Sequence, residues 1–564
     1  MSRICLLCCL TLSSAFALPD GFEIHTFAEP FDVDYPAAIT VAPNGDVYVS
    51  SDQNGSLGKL DGMGRVIRCR DTDGDGVADD FIHFVPDVDS PRGGHIVGDT
   101  LYLIHPPYLS SFRDTDGDGV ADEKKTLVTG LGGGIEHPRG ADHTTNAVRM
   151  GIDGWLYITV GDFGTTPAKG TDGSEYTLHG GGVLRVRPDG SEIEPFALMT
   201  RNCYDTAISP TLDMFSRDNT NDGKGWNTRL HHYTALGDHG YPRLYKNFAD
   251  EAIIPLADYG GGSGTGGLWV DEPGFPGEFG NMLYTCDWTT GNVYYHPHKK
   301  VGASFEVEQK VFLQVPRAID IDVDGFARLY IADWRDGKYK YAGKGKKVGM
   351  IQQVSVKGGT LTRYYDVKEL PDEDLVALLG CASAVQRFAV QREMLKRNRP
   401  SAFARPVYEL ASNPEKSIEA RVAAIFTFKQ LVPQLAPHFL ARLAKDKIVR
   451  EYVLRAMTDR KSELQGVPVE LYTKSLNDRN SRVVLQAMIG LERLQAKGSS
   501  RAILKASAQW KEAGISPRLE HTATAVLSSL ADIPSLLKGT EDPATRALAY
   551  SALRRLHDKT VVDG

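Results

Sequence analysis

Residues 147–162 read AVRMGIDGWLYITVGD, and how this stretch folds decides the fold of the first two thirds of the chain. Val148 and Met150 alternate with their neighbours, Ile152-Asp153-Gly154 supplies a turn, and Trp155 to Val160 is a run of strand-forming residues. The pattern predicts a β-hairpin. An antiparallel pair joined by a tight turn brings its outer ends together. His143, in the polar HTTN loop ahead of the hairpin, and Asp162, just after it, are therefore expected at one end. A carboxylate that fixes the tautomer of an imidazole and raises its basicity is a common way to make a general base. The structural alternative is that Asp162 caps its own turn while His143 satisfies loop backbone.

The same unit recurs from Leu18 to about Val356: an apolar strand, a polar-Gly turn, and a strand carrying an aromatic. The other copies are AAITVAPNGDVYVSS (37–51), HIVGDTLYLIH (95–105), the diverged YDTAISPTLDMFSRD (204–218), GEFGNMLYTCDW (277–288) and RAIDIDVDGFARLYIADW (317–334). Their aromatics are Tyr48, Tyr102, Tyr157, Phe215, Tyr284 and Tyr330, some 46–69 residues apart. Short strands repeating at this spacing mark β-propeller blades, so residues 18–358 are predicted to form a six-bladed propeller. The early strand Phe22 to Phe27 and the late strand Met350 to Val356 are expected to share one sheet and close the ring, which leaves no free edge.

Two connections are near copies, RCRDTDGDGVADD (68–80) and SFRDTDGDGVADE (111–123). Each offers carboxylates at alternate positions, Asp71, Asp73 and Asp75 in one, Asp114, Asp116 and Asp118 in the other. Asp79 and Asp122 stand at the ninth position. Hard cations take several oxygens from one loop, so both loops are expected to bind Ca²⁺ and to serve structure. Ile82 and Lys125 stand where an EF-hand has its bidentate Glu, which implies weak affinity. A solvated acidic turn is the alternative. Two other connections are unusually polar: Arg201-Asn202 ahead of the fourth copy, and 216–242, which gathers Asp218, Asn219, His231, His232, Asp238 and His239. Long polar loops on a rigid scaffold are where sites lie. His231 and His232, adjacent on a strand, are expected on opposite faces.

From Asp372 onward Gly nearly vanishes and the period becomes 3.6, as in AVQRFAVQREMLKR and SRVVLQAMIGLERL. Arg387, Arg421, Arg450, Arg482, Arg518 and Arg546 recur about 28–36 residues apart at the heads of alternate helices. Residues 372–564 are thus predicted to be a HEAT-like α-solenoid, joined to the propeller by a linker at 359–371. It reads as a protein-binding or spacer arm, or else as a packing extension.

The chain opens MSRICLLCCLTLSSAFALPDGF: one basic residue, an apolar run from Ile4 to Leu12, then Ala15-Phe16-Ala17. This predicts a signal peptide over 1–17 and a periplasmic or secreted protein. No later stretch is apolar over about 18 residues, so no membrane span is expected. A net charge of −8 gives no basic field to displace counterions from phosphates, which argues against a nucleic-acid partner. Past the signal, Cys69, Cys203, Cys286 and Cys381 are too scattered for a metal knuckle but free to pair under oxidation. No CxxCH haem motif occurs.

HTTNAVRMGIDGWLYITVGD, TRNCYD, WNTRLHHYTALGDHGYP, CDWTTGNVYYHPH and IDIDVDGFARLYIADW, in this order, carry a resemblance. The first 356 or so residues resemble the six-bladed quinoprotein glucose and sorbosone dehydrogenases. The whole chain is similar to the front part of large bacterial membrane-bound dehydrogenases that join such a propeller to HEAT repeats and a cytochrome c. The resemblance implies His143 as base, Asp162 as its orienting carboxylate, and Arg201, Asn202 and Asn146 on the cofactor side. Arg317 and Arg335 are the candidates for further cofactor carboxylates. It implies oxidation of a sugar or other alcohol, pyrroloquinoline quinone as cofactor, and a separate, cytochrome-type electron acceptor. The contrasting expectation is a non-catalytic, calcium-stabilised propeller that binds carbohydrate or protein, with the solenoid as docking arm.

Overall fold

The computed structural model describes residues 18–564 apart from 31, 142, 222–225, 243–250, 336–347, 360–361, 513–516, 559–560 and 562–564. The predicted signal peptide therefore lies outside the described residues. Six antiparallel sheets surround one axis. Blade one is Pro36–Val41, Val47–Asp52, Gly64–Arg70 and Asp80–Val85. Blade two is Gly94–Val97, Thr100–His105, Tyr108–Arg113 and Glu123–Thr129. Blade three is Thr145–Met150, Leu156–Val160, Gly181–Val186 and Glu194–Thr200, with Gly237–Asp238 added in parallel at its outer edge. Blade four is Ala207–Ile208, Met214–Asn221, Trp226–Tyr233 and Ala257–Gly261; blade five is Gly264–Asp271, Asn281–Asp287, Asn292–His296 and Lys310–Gln314.

Blade six takes Ala318–Val323, Leu329–Asp333 and Met350–Val356 from late in the propeller and Phe22–Ala28 from its start. Phe22 lies opposite Val356 and Ala28 opposite Ile351, so the ring closes as expected. Each of the six repeat aromatics sits on the second strand of its blade, where Tyr157, Phe215, Tyr284 and Tyr330 are fully buried. Large flat side chains there fill the seams between twisted sheets.

The two acidic repeats are hairpin turns that hook over the preceding blade. Ala78 N–H donates to the Phe27 carbonyl of blade six at 2.8 Å, and Ala121 N–H to the Phe84 carbonyl of blade one at 2.8 Å. Asp71, Asp73 and Asp75 converge, as do Asp114, Asp116 and Asp118. The ninth-position residues do not join them: Asp79 accepts from the Thr72 hydroxyl at 2.8 Å and Asp122 from Thr115 at 2.6 Å, bracing each loop from inside.

Helices from Asp372–Leu378 to Arg546–Leu556 form the α-solenoid, which packs onto one end of the propeller. Where the turn of the 147–162 hairpin meets it, Gln391 and Gln430 amides both donate to the Ile152 carbonyl, at 2.9 and 3.1 Å. Asp459 accepts from Trp155 Nε1 at 2.7 Å and from Arg185 at 3.1 Å; Arg482 pairs with Asp213 at 2.5 Å. This face of the solenoid is therefore taken up by its own propeller. No helix among the described residues is long and apolar enough to cross a membrane. The four cysteines, whose pairing the sequence leaves open, are all free: Cys69, Cys203 and Cys286 are buried in different parts of the ring and Cys381 is half-buried.

Candidate active site

At the end of the axis opposite the solenoid, the blade-three hairpin delivers His143 and Asp162 side by side. Thr145 pairs with Val160, and Gly161 N–H then donates to the Thr144 carbonyl at 2.8 Å. A Cβ at Gly161 would stand 2.4 Å from the His143 carbonyl oxygen, so only glycine permits this approach. His143 has φ of +60°, an uncommon conformation for a non-glycine residue. Its Nδ1 donates to Asp162 Oδ1 at 2.5 Å, which makes Nε2 the unprotonated nitrogen of the neutral ring.

Three groups surround the pair. Tyr241 OH donates to Asp162 Oδ2 at 3.1 Å. Arg201 Nη2 stands 3.5 Å from His143 Nε2, its Nε lies 3.9 Å from Asp162 Oδ2, and its Nη1 donates to Asn219 Oδ1 at 2.6 Å. Phe163 stacks on the imidazole, ring centres 5.5 Å apart. Histidine and aspartate side chains are only 11% and 12% exposed, so the dyad works in a site of reduced dielectric.

The neighbouring blades show where this dyad comes from. Second strands of blades four, five and six end at or near an aspartate that accepts backbone N–H groups from the segment leading into the same blade. Asp218 takes Arg201 and Asn202 N–H at 3.0 and 3.1 Å, Asp287 takes Ser263 at 3.2 Å, and Asp333 takes Arg317 at 2.9 Å. In blade three Asp162 occupies the corresponding place, but its partner is the side chain of His143. A backbone tie is replaced there by an imidazole–carboxylate pair.

His143 lines a cavity of about 800 Å³ on the axis, together with Asn146, Asn202, Tyr204, Trp288 and Trp334. Asn146 Nδ2 donates to the Cys203 carbonyl at 3.0 Å, which fixes its amide. Asn202 Oδ1 and Trp334 Nε1 are buried without a protein partner, as expected where a polar ligand or water completes the set. Arg92 pairs with Asp52 at 2.7 Å on the opposite wall; burial raises the Asp52 carboxyl above its usual range despite that arginine.

The structure thus brings His143, Asn202 and Asn146 to one pocket, with Asp162 and Arg201 against the His143 ring. It sets Asp71, Asp73, Asp75, Asp79, Asp114, Asp116, Asp118 and Asp122 apart, on the two hairpin turns. Arg317 lies flat over the Trp288 ring at 4.0 Å, while Arg335 is exposed and donates its backbone N–H to Asp333 at 2.8 Å. His231 faces Asp218 and His232 faces Asp213, on opposite sides of their strand. Sequence reasoning missed the roles of Tyr241, Trp288 and Trp334. The signals were available: Tyr241 ends the GDHGYP turn, and an Asp-Trp pair closes the second strand in both blades five and six.

A family model described as "Domain of unknown function (DUF7133)" matches residues 12–254. No curated protein matches the sequence significantly. Among solved structures, the chain is similar to the PQQ-bound aldose sugar dehydrogenase of Streptomyces coelicolor, at 16% identity and TM-score 0.43 over 60% of this chain and 100% of that one. It is similar to the PQQ domain of pyranose dehydrogenase from Coprinopsis cinerea, at 12% identity and TM-score 0.42 over 60% and 97%. A gluconolactonase from Xanthomonas campestris gives 13% identity and TM-score 0.34 over 59% and 90%.

Proposed function

We propose that the propeller oxidises a sugar or other alcohol, with pyrroloquinoline quinone as hydride acceptor and a separate protein as electron acceptor. The observation that carries this reading is a buried imidazole on the axial cavity, its Nδ1 held by Asp162 and its Nε2 beside the Arg201 guanidinium. The cavity suits a flat, polar, anionic group: Trp288 and Trp334 supply indole rings, Asn202, Asn146 and Arg92 supply polar contacts, and Arg201 stands beside His143. Such a quinone, when bound, accepts a hydride from the carbon bearing the hydroxyl.

The protein's own part is proton transfer and orientation. The substrate hydroxyl donates to His143 Nε2, which takes the proton as the C–H bond breaks. Asp162 keeps Nδ1 protonated and stabilises the imidazolium that results. Arg201 stabilises negative charge developing on the substrate oxygen. Tyr241 and Asn219 hold Asp162 and Arg201 in place. The hydrogen-bonded dyad distinguishes this reading from a passive binding propeller, which has no need of a general base.

The test is a titration of the purified mature protein with pyrroloquinoline quinone and Ca²⁺, followed by absorbance, then dye reduction with a panel of sugars and alcohols. Saturable quinone binding is expected, with turnover falling at least about 10²-fold in His143→Ala. No binding at tens of micromolar quinone would replace this reading with that of a calcium-stabilised binding module.

A further inference from the structure

Beneath the propeller, on the solenoid side, a second cavity system has no part in the chemistry above. An inner chamber of about 1010 Å³ lies under the axis, walled by Ile152, Ile208, Leu268, Trp269, Val323 and Phe388. An outer cleft of about 1780 Å³ runs between blade two and the helix Ala384–Arg397. The two share Pro43, Ile96, Met150 and Phe388 in their walls, so they adjoin.

Arg392 lines the outer cleft, against Met150 and Phe388 of the shared wall. Its guanidinium donates to the amide oxygens of Gln391 and, at 3.1 Å, Gln430, contacts Met150 Sδ at 3.6 Å, and lies 5.4 Å from the Phe388 ring centre. Every one of these partners is neutral. Among the described residues no carboxylate comes within ion-pairing distance, and Arg392 Nε is buried without a partner. The carboxylates of the cleft are engaged elsewhere: Asp99 with Arg113 at 3.2 Å, Glu393 with Arg397 at 2.8 Å, and Asp366 with the Lys368 N–H at 3.1 Å. In the chamber Asp322 lies 3.5 Å from Arg149, and Glu419 lines the far wall. Burial and the nearby Arg187 hold Arg392 down to about 9, against a weaker pull from Asp153. A guanidinium left without a counter-charge in such a place is costly unless an anion from outside completes it. His95 adds a second open polar group on the chamber wall: its ring packs edge-on to Phe388 at 5.4 Å and its Nε2 is buried without a partner. Lys396, one helical turn beyond Arg392, and Lys368 line the mouth.

The structure assigns to this space a binding site for an amphiphilic anion, its carboxylate or equivalent head on Arg392 and its apolar body in the chamber beneath the axis. A neutral apolar ligand would leave the guanidinium uncompensated. A small inorganic anion would leave the chamber unfilled. Only a molecule with both parts satisfies both features.

Decanoate is the probe, titrated calorimetrically into the full mature chain beside acetate and decanol. One saturable decanoate site is expected, with acetate and decanol at least about tenfold weaker. Arg392→Gln should weaken decanoate at least about tenfold while the ligand-free protein melts at the same temperature or higher, since a half-buried charge with only neutral partners is lost. Ala384→Trp, which fills the chamber and keeps Arg392, should reduce decanoate to the level of acetate. His143→Ala should bind decanoate as the unmodified protein does. Absence of a saturable site, or unchanged affinity in Arg392→Gln, would overturn the assignment, and so would loss of binding in His143→Ala. If Arg392→Gln does not fold, unchanged decanoate affinity in Ala384→Trp overturns it alone.

Discussion

At the scale of single residues, Asp162 is the pivot of the site because it is held from both sides. His143 Nδ1 meets one oxygen and Tyr241 the other. Tyr241→Phe removes only the second bond, so it should lower kcat about tenfold with little change in KM, the worth of one hydrogen bond to a charged group. Steady-state kinetics on a dye-coupled assay reads this directly; an unchanged kcat would make Tyr241 a mere neighbour. The meeting of His143 with Asp162 could be read from sequence because a tight turn fixes the register of the two strands that carry them. Tyr241 could not. It arrives 79 residues after Asp162, on a chain that docks alongside the outer strand of blade three. Local periodicity carries no information about such a return. Arg201 is an intermediate case: sequence marked its loop as unusually polar, but not that Asp218 holds its backbone in place.

At the scale of elements, the blades were legible because each repeats one strand–turn–strand pattern and places its aromatic on the same strand. The repeat arginines of the solenoid show where pattern stops being enough. Arg421 and Arg450 pair within the solenoid, with Asp446 at 2.5 Å and with Asp478, but Arg387 and Arg482 reach Asp271 and Asp213 of the propeller, and Arg518 the His232 carbonyl. Identical residues at equivalent repeat positions thus have different jobs, set by which helices face the ring. The two acidic turns are a further case. Each ties a blade to its predecessor, so a cation bound by Asp71, Asp73 and Asp75, or by Asp114, Asp116 and Asp118, would stiffen a seam. Millimolar Ca²⁺ is expected to raise the melting temperature, by about 2.7 kcal/mol of stability per site at a hundredfold excess over Kd. Asp71→Asn and Asp114→Asn should each remove about half of that gain. Scanning calorimetry with and without a chelator measures it, and no difference between the two conditions would mean that the turns hold by hydrogen bonds alone.

At the scale of the whole molecule, the solenoid and propeller act as one body, and their joint carries a titratable group. Glu272 lies at the end of blade five, buried, and accepts the Val385 N–H at 2.8 Å at the start of the helix Ala384–Arg397. Burial, opposed by its bond to Ser383, raises its carboxyl from 4.5 to about 8. The folded chain therefore keeps a proton that the unfolded chain releases, and stability should fall as pH rises from about 4.5 to 8. Glu272→Gln should remove that slope: equal to the unmodified protein near pH 4.5 and more stable than it at pH 8, by thermal melting across the range. The closed ring has a consequence of another kind. Phe22, among the first residues to leave the ribosome, pairs with Val356, and blade six cannot form until the strand Met350–Val356 exists. Until then the sixth blade exists only as the strand Phe22–Ala28, its edges unpaired, while the five blades between are made. Contacts so distant in sequence are slow to form and vulnerable to mispairing. Synthesis and final folding are thus separated in time by the topology itself.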